Sequence, residues 1–262
     1  MGIVNLTEDS FFRGSRFLCP DGSVDVRRLV ERCGSMLEEG ADIIDIGAAS
    51  SRPGASPVGA EVEWSRLETA LTVLNAAFPE AKFSVDTVWA SVVRRVFDLI
   101  GPFLVNDISA GREDPKMLRT VGSLGLPYVA MHSRGTPETM QSMTDYTDVV
   151  QEVKTFFREF SGKARDEGIR DWILDPGFGF AKTMDQNYQL LANLRELTCF
   201  GRPILVGISR KSMIYRLLKT TPEESLQGSL VMNLLAFENG ASILRVHDVA
   251  ETVAAFASIG IS

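Results

Sequence analysis

Short apolar runs that end in polar residues recur along the whole chain, and a stretch with helical periodicity follows each of them. The runs are nearly continuous, which is typical of strands buried on both faces of a parallel sheet. They cover residues 2–5, 43–47, 83–86, 103–107, 128–132, 172–175, 204–207 and 243–247. Apolar residues at 3.6-residue spacing predict helices around residues 26–37, 67–74, 92–97, 117–121, 146–160, 188–194, 226–237 and 249–256.

Strand and helix therefore alternate eight times, without a linker or a change in composition. This alternation favours an α/β fold in which residues 1–262 form one (β/α)₈ barrel domain, since barrels commonly have this length. A doubly wound parallel sheet with a similar number of strands is the structural alternative.

Composition and charge narrow the range of partners. The chain is 45% hydrophobic and 23% charged, as folded globular proteins are. Its net charge of −7 disfavours nucleic acid and anionic membranes as partners, and no run reaches the roughly 18 apolar residues of a membrane span. Three cysteines without a CxxC pair and only two histidines argue against a disulfide framework or a zinc site. We therefore expect a cytoplasmic protein.

Polar residues stand at the end of nearly every predicted strand. In a barrel these positions form the functional face. They are Asn5, Asp45, Asp86, Asn106, Asp107, His132, Asp175, Ser209, Arg210, Lys211, Arg245 and His247. Helix caps and turns are the expected roles of Asp45 and Asp107, and an alternative role for His132. Caps and turns do not account for the whole set, so the pattern predicts a functional site here.

Eight segments, in order and spread over nearly the whole chain, resemble the motifs of dihydropteroate synthases. They are GIVNLTEDSF (2–11), GADIIDIGAASSRPGA (40–55), SVDT (84–87), VNDISAG (105–111), MHSRGTPETMQ (131–141), ILDPGFGFAKT (173–183), VGISRKS (206–212) and RVHD (245–248). The resemblance implies a (β/α)₈ barrel that joins p-aminobenzoate to 6-hydroxymethyl-7,8-dihydropterin diphosphate in folate synthesis, with release of pyrophosphate. It also implies a homodimer.

For the pterin ring, the resemblance implies a set of residues at the strand ends. A carboxylate can accept two parallel N–H groups from the guanine-like edge of a pterin, and an amide can both donate and accept. A glycine allows the backbone to approach a flat ring. The set is Asp86, Asn106, Met131, Asp175, Gly179 and Lys211. For Met131, ordinary barrel core is the alternative.

Arg245 and His247 alternate at the end of the last predicted strand, so both side chains face the same side. By resemblance they contact the diphosphate, together with Asn5 and Ser51. The resemblance also places on Asn5 a Mg²⁺ ion, the expected cofactor, held mainly by phosphate oxygens and water. A cap role for Asn5 and a turn role for Ser51 are the alternatives.

Ser212 is predicted to begin a helix, where exposed N–H groups favour an anion. The resemblance assigns to it the carboxylate of p-aminobenzoate. The same pocket would be completed by Phe11, Ser51, Arg52, Pro53 and Phe180.

The resemblance also implies a mechanism through a cation carried by the pterin, stabilised by fixed negative groups while Mg²⁺ and basic groups neutralise the leaving diphosphate. The catalytic residues it implies are Asp86, Asp175, Lys211, Arg245 and His247.

Four departures from the family pattern stand out. Glu8 occupies the place of the usual Pro in the first motif. Ala48 and Ala49 replace the Gly-Glu of the usual GGES, which bears on loop packing and on the preference for aminobenzoate or sulfonamides. The first loop has an unusual sequence at 12–16, and a short N-terminal segment usual in relatives is expected to be missing.

Two other functions remain open: a pterin-binding methyltransferase and a non-catalytic pterin-binding paralogue. The SRKS and RVH motifs disfavour the first. Retention of Arg52, Lys211, Arg245 and His247 disfavours the second, whereas the lost Glu at position 49 favours it.

Overall fold

The computed structural model describes residues 1–7, 17–19, 22–49, 58–136 and 138–261. These residues include eight parallel strands. The strands are β1 (Gly2–Asn5), β2 (Ile43–Gly47), β3 (Lys82–Asp86), β4 (Leu104–Asp107), β5 (Tyr128–Met131), β6 (Trp172–Asp175), β7 (Leu205–Val206) and β8 (Ile243–Leu244). The first six pair in sequence order and β7 pairs with β8.

A helix follows each strand at the positions that the apolar spacing predicts, except that a single helical turn precedes the long helix after β7. The helices are α1 (Val26–Glu38), α2 (Ala60–Ala77), α3 (Ala90–Ile100), α4 (Met117–Leu124), α5 (Val149–Asp166), α6 (Met184–Ala192), α7 (Ser212–Tyr215), α8 (Leu226–Glu238) and α9 (Val249–Ser258). No helix among the described residues combines the length and the apolar character that crossing a membrane requires.

Two isolated bridges close the sheet into a barrel. Leu174 of β6 pairs with Ile204 beside β7, and Gly2 of β1 pairs with Val246 just after β8. The Val246 N–H donates to the carbonyl of Met1 at 2.9 Å. A doubly wound sheet would keep two open edges, so that alternative is wrong and the predicted barrel is confirmed.

The core has two parts, as a barrel surrounded by helices requires. A small cluster inside the barrel contains Leu104, Val129 and Leu205. A larger cluster fills the space between the strands and the helices. The strands are therefore buried on both faces, which explains why their sequences are almost continuously apolar.

Local sequence signals set several helix ends. The Asp148 side chain accepts hydrogen bonds from the first N–H groups of α5, so this helix begins after Tyr146 rather than at it. Thr183 and Gln186 form a reciprocal cap at the start of α6. Gly40 lies just beyond the end of α1 and has a φ of +99°, a conformation that favours glycine where a helix stops.

Candidate functional site

The described residues that the family resemblance implies for the site all border one cavity at the C-terminal end of the barrel. Its volume is about 260 Å³. They are Asn5, Asp86, Asn106, Met131, Asp175, Gly179, Phe180, Lys211, Ser212, Arg245 and His247. The predicted residues Phe11, Ser51, Arg52 and Pro53 lie outside the described residues. Residues from distant motifs thus meet at one place, because parallel strands bring their carboxyl ends together.

A buried carboxylate, Asp45, connects the polar residues beneath this cavity. It is 0% exposed. Its oxygens accept from the Ser84 hydroxyl at 2.6 Å, from the Asn106 amide at 3.2 Å and from Arg245 Nε at 2.6 Å. The Arg245 guanidinium also donates to Asp86 at 3.3 Å. Asp45 therefore orients Asn106 and Arg245, and the expectation that it only caps a helix or a turn is wrong.

Asp107 does have the turn role expected from its position. Its carboxylate accepts from the N–H groups of Ser109 and Gly111 at 2.7 and 2.8 Å. It also accepts from the Tyr128 hydroxyl at 2.6 Å. These bonds fix the turn that follows β4.

Asp86 and Arg245 form the charged wall of the cavity. Burial raises the pKa of Asp86 to about 7, against the opposing effect of Arg245. Burial disfavours the charge on Arg245, but Asp45 and Asp86 outweigh it and leave the pKa of Arg245 raised. Asp45 and Asp86 thus accept hydrogen bonds from two sides of the Arg245 guanidinium, so only its remaining N–H groups are available to a ligand.

Asp175 and Lys211 are a second pair of opposite charges that border the cavity and act on each other. The Gly177 N–H donates to Asp175 at 2.8 Å, and Lys211 Nζ donates to the Phe178 carbonyl at 2.6 Å. Burial raises the pKa of Asp175, and the charge of Lys211 opposes the rise. Burial likewise lowers the pKa of Lys211 to about 8, with Asp175 opposing.

The turn after β6 needs glycine most at Gly177, which the sequence reasoning did not select. A Cβ there would lie 1.9 Å from the carbonyl oxygen of His132, and its φ is +71°. Gly179, which the sequence predicted, also has a positive φ, of +81°, and borders the cavity.

Lys182 lies behind this turn and holds it. Its ammonium is 3.0 Å from His132 Nδ1 and donates to the carbonyls of Gly177 and Phe180 at 2.9 and 3.1 Å. Burial lowers the pKa of Lys182 to about 7 and that of His132 well below its usual value. His132 is therefore a neutral acceptor packed edge-on against Phe156, 5.1 Å between ring centroids.

Lys211 and Ser212 reach the cavity through a strained turn. Arg210 is 5% exposed and has a φ of +55°, which is unfavourable for a residue with a side chain. Its guanidinium makes two parallel hydrogen bonds of 2.8 Å with the Asp248 carboxylate. This pair fixes the turn, and Ser212 begins α7 as predicted.

His247 lies beside Ser209, with its Nδ1 3.2 Å from the Ser209 hydroxyl. Burial and three neighbouring cations lower the pKa of His247 to about 3, so the ring is neutral near pH 7. Both Arg245 and His247 border the cavity, although β8 ends one residue before Arg245. The prediction that they share a side is therefore confirmed.

The structure adds residues that sequence reasoning missed. Tyr215 and Arg216, on the turn of α7, border the cavity. Asp45, Lys182 and Asp248 support it from behind. All three lie within quoted motifs, but no local spacing distinguishes a supporting carboxylate or lysine from one that contacts a ligand.

With this geometry in place, comparison with known proteins identifies the class. The sequence pattern of the family described as pterin binding enzymes matches residues 1–247, and the chain belongs to that family. Dihydropteroate synthase from Escherichia coli K12 is 42% identical over 97% of this chain and 88% of its own length.

Solved structures agree with this assignment. Yersinia pestis dihydropteroate synthase in complex with a sulfonamide drug has a TM-score of 0.92 and 38% identity, covering 98% of this chain and 91% of that chain. The Xanthomonas albilineans enzyme with 4-aminobenzoic acid has a TM-score of 0.86 and 40% identity, covering 98% and 90%. The predicted resemblance to dihydropteroate synthases and the predicted barrel are both confirmed.

Proposed function

We propose that the cavity joins a dihydropterin diphosphate to p-aminobenzoate and releases pyrophosphate. The chain is then a transferase of folate biosynthesis, like the relatives it matches over nearly its full length. The observation that carries the proposal is that acceptors and donors suited to a pterin and cations suited to a diphosphate border one cavity.

The pterin end is defined by groups whose positions are already fixed. Asp175 presents a carboxylate that can accept two N–H groups in parallel, and Asn106 presents an amide oriented by Asp45. Lys211 supplies a donor for ring acceptors, and Met131, 3% exposed, supplies an apolar surface for the flat ring.

Arg245 and His247 form the diphosphate end. In the reaction the bond between the pterin CH₂ and the diphosphate oxygen breaks, and its electron pair leaves with the diphosphate. Asp86 and Asp175 stabilise the positive charge left on the pterin. The arylamine lone pair then forms the new C–N bond, and the N–H proton passes to water. No general base is required, because the attacking amine is uncharged at neutral pH.

Mg²⁺ fits this site on the chemistry of its donors. The Asn5 side chain borders the cavity, and its amide oxygen is a hard ligand. Among the described residues no three His, Cys, Asp or Glu side chains are grouped around a metal position. Asn5 would therefore hold the ion together with phosphate oxygens and water, and the bound ion would neutralise charge on the leaving group.

The aminobenzoate end rests on Ser212 and Phe180 among the described residues. Lys211 Nζ lies 4.6 Å from the centroid of the Phe180 ring, which places a cation and an aromatic face beside Ser212. An arylcarboxylate suits that combination. Because α7 has only one turn, the Ser212 hydroxyl matters more here than a helix dipole.

An assay of pyrophosphate release tests the proposal. The pterin diphosphate, Mg²⁺ and p-aminobenzoate are omitted in turn, and release should depend on all three. Pterin binding without aminobenzoate-dependent release would instead favour the methyltransferase or the non-catalytic paralogue. The synthase is favoured over the methyltransferase and the non-catalytic paralogue because one cavity is bordered by Ser212, Arg245 and His247. Neither of the two alternatives needs sites for a diphosphate and an arylcarboxylate.

The outer face of α8 supports a homodimer. The side of α8 toward the barrel buries Ser229 and Asn233, whereas Val231 and Leu235 are 56% and 41% exposed. A helix that turns apolar residues outward indicates a protein contact. Val231→Glu should shift the sedimentation coefficient to that of a monomer; an unchanged coefficient would contradict the dimer.

We also propose a reducing, cytoplasmic location. Its support is that none of the three cysteines, Cys19, Cys33 and Cys199, forms a disulfide.

A further inference from the structure

Two residues of the α7 turn border the substrate cavity but have no role in the proposed reaction. They are Tyr215 and Arg216, which follow Ser212 by three and four residues. The Arg216 N–H donates to the Ser212 carbonyl at 3.1 Å, and the φ and ψ of Arg216, −69° and −40°, are helical. Residues three and four apart lie on one face of a helix. The turn therefore presents Ser212, Tyr215 and Arg216 to the cavity together.

Arg216 is an exposed cation whose charge the protein leaves unused. Within the described part of the chain its guanidinium forms no ion pair and donates no hydrogen bond. The other two cations that border the cavity are already engaged. Arg245 is held by two carboxylates, and Lys211 donates to the Phe178 carbonyl. All the side-chain N–H groups of Arg216 are thus available to a ligand.

The charge of the chain indicates why a free cation is needed at this place. The net charge is −7, so the protein as a whole repels an anion. Asp86 and Asp175 border the same cavity. p-Aminobenzoate is an anion at neutral pH and must approach against this field. A guanidinium at the entrance offsets the repulsion, and its two parallel N–H groups match a carboxylate.

We propose that Arg216 determines specificity for the arylamine by pairing with the carboxylate of p-aminobenzoate while the Ser212 hydroxyl donates to the same group. This inference rests on the proposed function. One helical turn rises about 5.4 Å, a distance that the long arginine side chain spans. Arg216 thereby favours an anionic arylamine over one whose para substituent is uncharged. The carboxylate is at the far end of the ring from the reacting amine, so Arg216 acts on binding and not on the chemical step.

Steady-state pyrophosphate release, with p-aminobenzoate varied at saturating pterin diphosphate and Mg²⁺, tests the role of Arg216. Arg216→Gln should raise the KM for p-aminobenzoate about threefold to tenfold and leave kcat unchanged, because it removes an exposed, charge-assisted contact. Arg216→Lys keeps the charge and should raise the KM less. The matched control is Lys219→Gln, at an exposed cation that does not border the cavity, and its KM should be that of the unmodified protein.

Uncharged analogues separate the effect of charge from that of shape. p-Aminobenzamide and sulfanilamide carry a neutral group in place of the carboxylate. Their inhibition constants against p-aminobenzoate should be the same in Arg216→Gln and in the unmodified protein. At a fixed p-aminobenzoate concentration, sulfanilamide should therefore inhibit the variant more strongly. The difference in KM between the two proteins should shrink as the NaCl concentration rises, because salt screens an exposed ion pair.

Two results would overturn the inference. One is a KM for p-aminobenzoate that is equal in Arg216→Gln and in the unmodified protein. The other is an equal weakening of p-aminobenzoate and p-aminobenzamide in the variant, which would mean that Arg216 contributes shape and not charge. A chain without any aminobenzoate-dependent release would contradict the proposed function, whereas release with a KM independent of Arg216 would contradict only this inference.

Discussion

Asp45 and Glu63 are both carboxylates at 0% exposure near the same end of the barrel, yet their surroundings differ completely. Asp45 accepts hydrogen bonds from Ser84, Asn106 and Arg245. Within the described part of the chain, no hydrogen bond of good geometry reaches either oxygen of Glu63, although the nearby Thr87 hydroxyl opposes the rise of its pKa. One carboxylate is thus fully satisfied by the protein and the other is not.

The difference shows two uses of a buried charge. A fully paired carboxylate fixes its partners, so Asp45 determines where Asn106 and Arg245 present their free edges to a ligand. A buried carboxylate without good hydrogen bonds destabilises the folded chain, because its desolvation is not offset. Substitutions in the two regions should therefore act in opposite directions on stability.

The largest effect is expected from Asp45→Ala. It leaves the Arg245 guanidinium and the Asn106 amide without their buried acceptor, which should lower the free energy of unfolding by about 3 kcal/mol and abolish turnover. Denaturant unfolding and pyrophosphate release measure the two effects. Asp45→Asn keeps the shape of the side chain and should therefore be more stable than Asp45→Ala. If both variants were as stable as the unmodified chain, the role of Asp45 in holding Asn106 and Arg245 would be contradicted.

Asp86→Asn should lower kcat about a hundredfold with little change in pterin affinity, because the residue stabilises charge that develops during the reaction.

The pKa of Asp86, about 7, gives a second test of the same role. As the pH falls through 7, Asp86 takes up a proton, loses its negative charge, and the rate should fall. That acid limb should be missing in Asp86→Asn, while an alkaline limb near the Lys211 pKa of about 8 should remain. Turnover that survives the substitution would contradict the electrostatic role.

The sequence predicts the barrel well because eight apolar runs at regular intervals leave few other folds. It also predicts the cavity residues Asn106, Asp175 and Lys211, since strand ends in a barrel converge on one face. It does not distinguish Asp45 from a helix cap, because its partners Asn106 and Arg245 lie 61 and 200 residues away along the chain. Nor does it reveal that Glu63 is buried, since a glutamate near the start of a helix is ordinarily exposed.

Arg245→Ala should weaken binding of the pterin diphosphate far more than binding of the pterin alcohol that lacks the phosphates. Part of the guanidinium is engaged by Asp45 and Asp86, so we expect a loss of about tenfold to a hundredfold rather than the full effect of a two-pronged contact. Isothermal titration with both ligands measures the difference. Arg245→Lys keeps the charge and should lose less affinity for the pterin diphosphate. If Arg245→Ala weakened the binding of both ligands equally, a contact between Arg245 and the phosphates would be contradicted.

Lys182→Met should have a smaller effect on turnover, about tenfold in kcat/KM, because it acts through the turn that carries Gly177 and Phe180. Lys182→Arg should restore part of the loss by again donating to those carbonyls. Circular dichroism controls for folding. A Met variant with unchanged kinetics would show that the turn holds its shape without the ammonium.

The smallest expected effect concerns Glu63→Met, which should leave turnover unchanged and raise the melting temperature by a few degrees. The pH dependence has a definite sign. The pKa of Glu63 rises from 4.5 to about 8 on folding, so the folded state binds this proton more tightly than the unfolded state. The resulting stabilisation is complete below pH 4.5 and is lost as the pH rises towards 8 and beyond. The advantage of Glu63→Met over the unmodified chain should therefore be larger at pH 9 than at pH 5. Lys182 and Lys211 also titrate in this range, but they are present in both proteins and largely cancel in the difference.

The control is Glu68→Met, at an exposed position of the same helix, which should show no such trend. A Glu63→Met advantage that shrinks as the pH rises would mean that the buried carboxylate has a partner when ionised, and the contrast with Asp45 would then disappear.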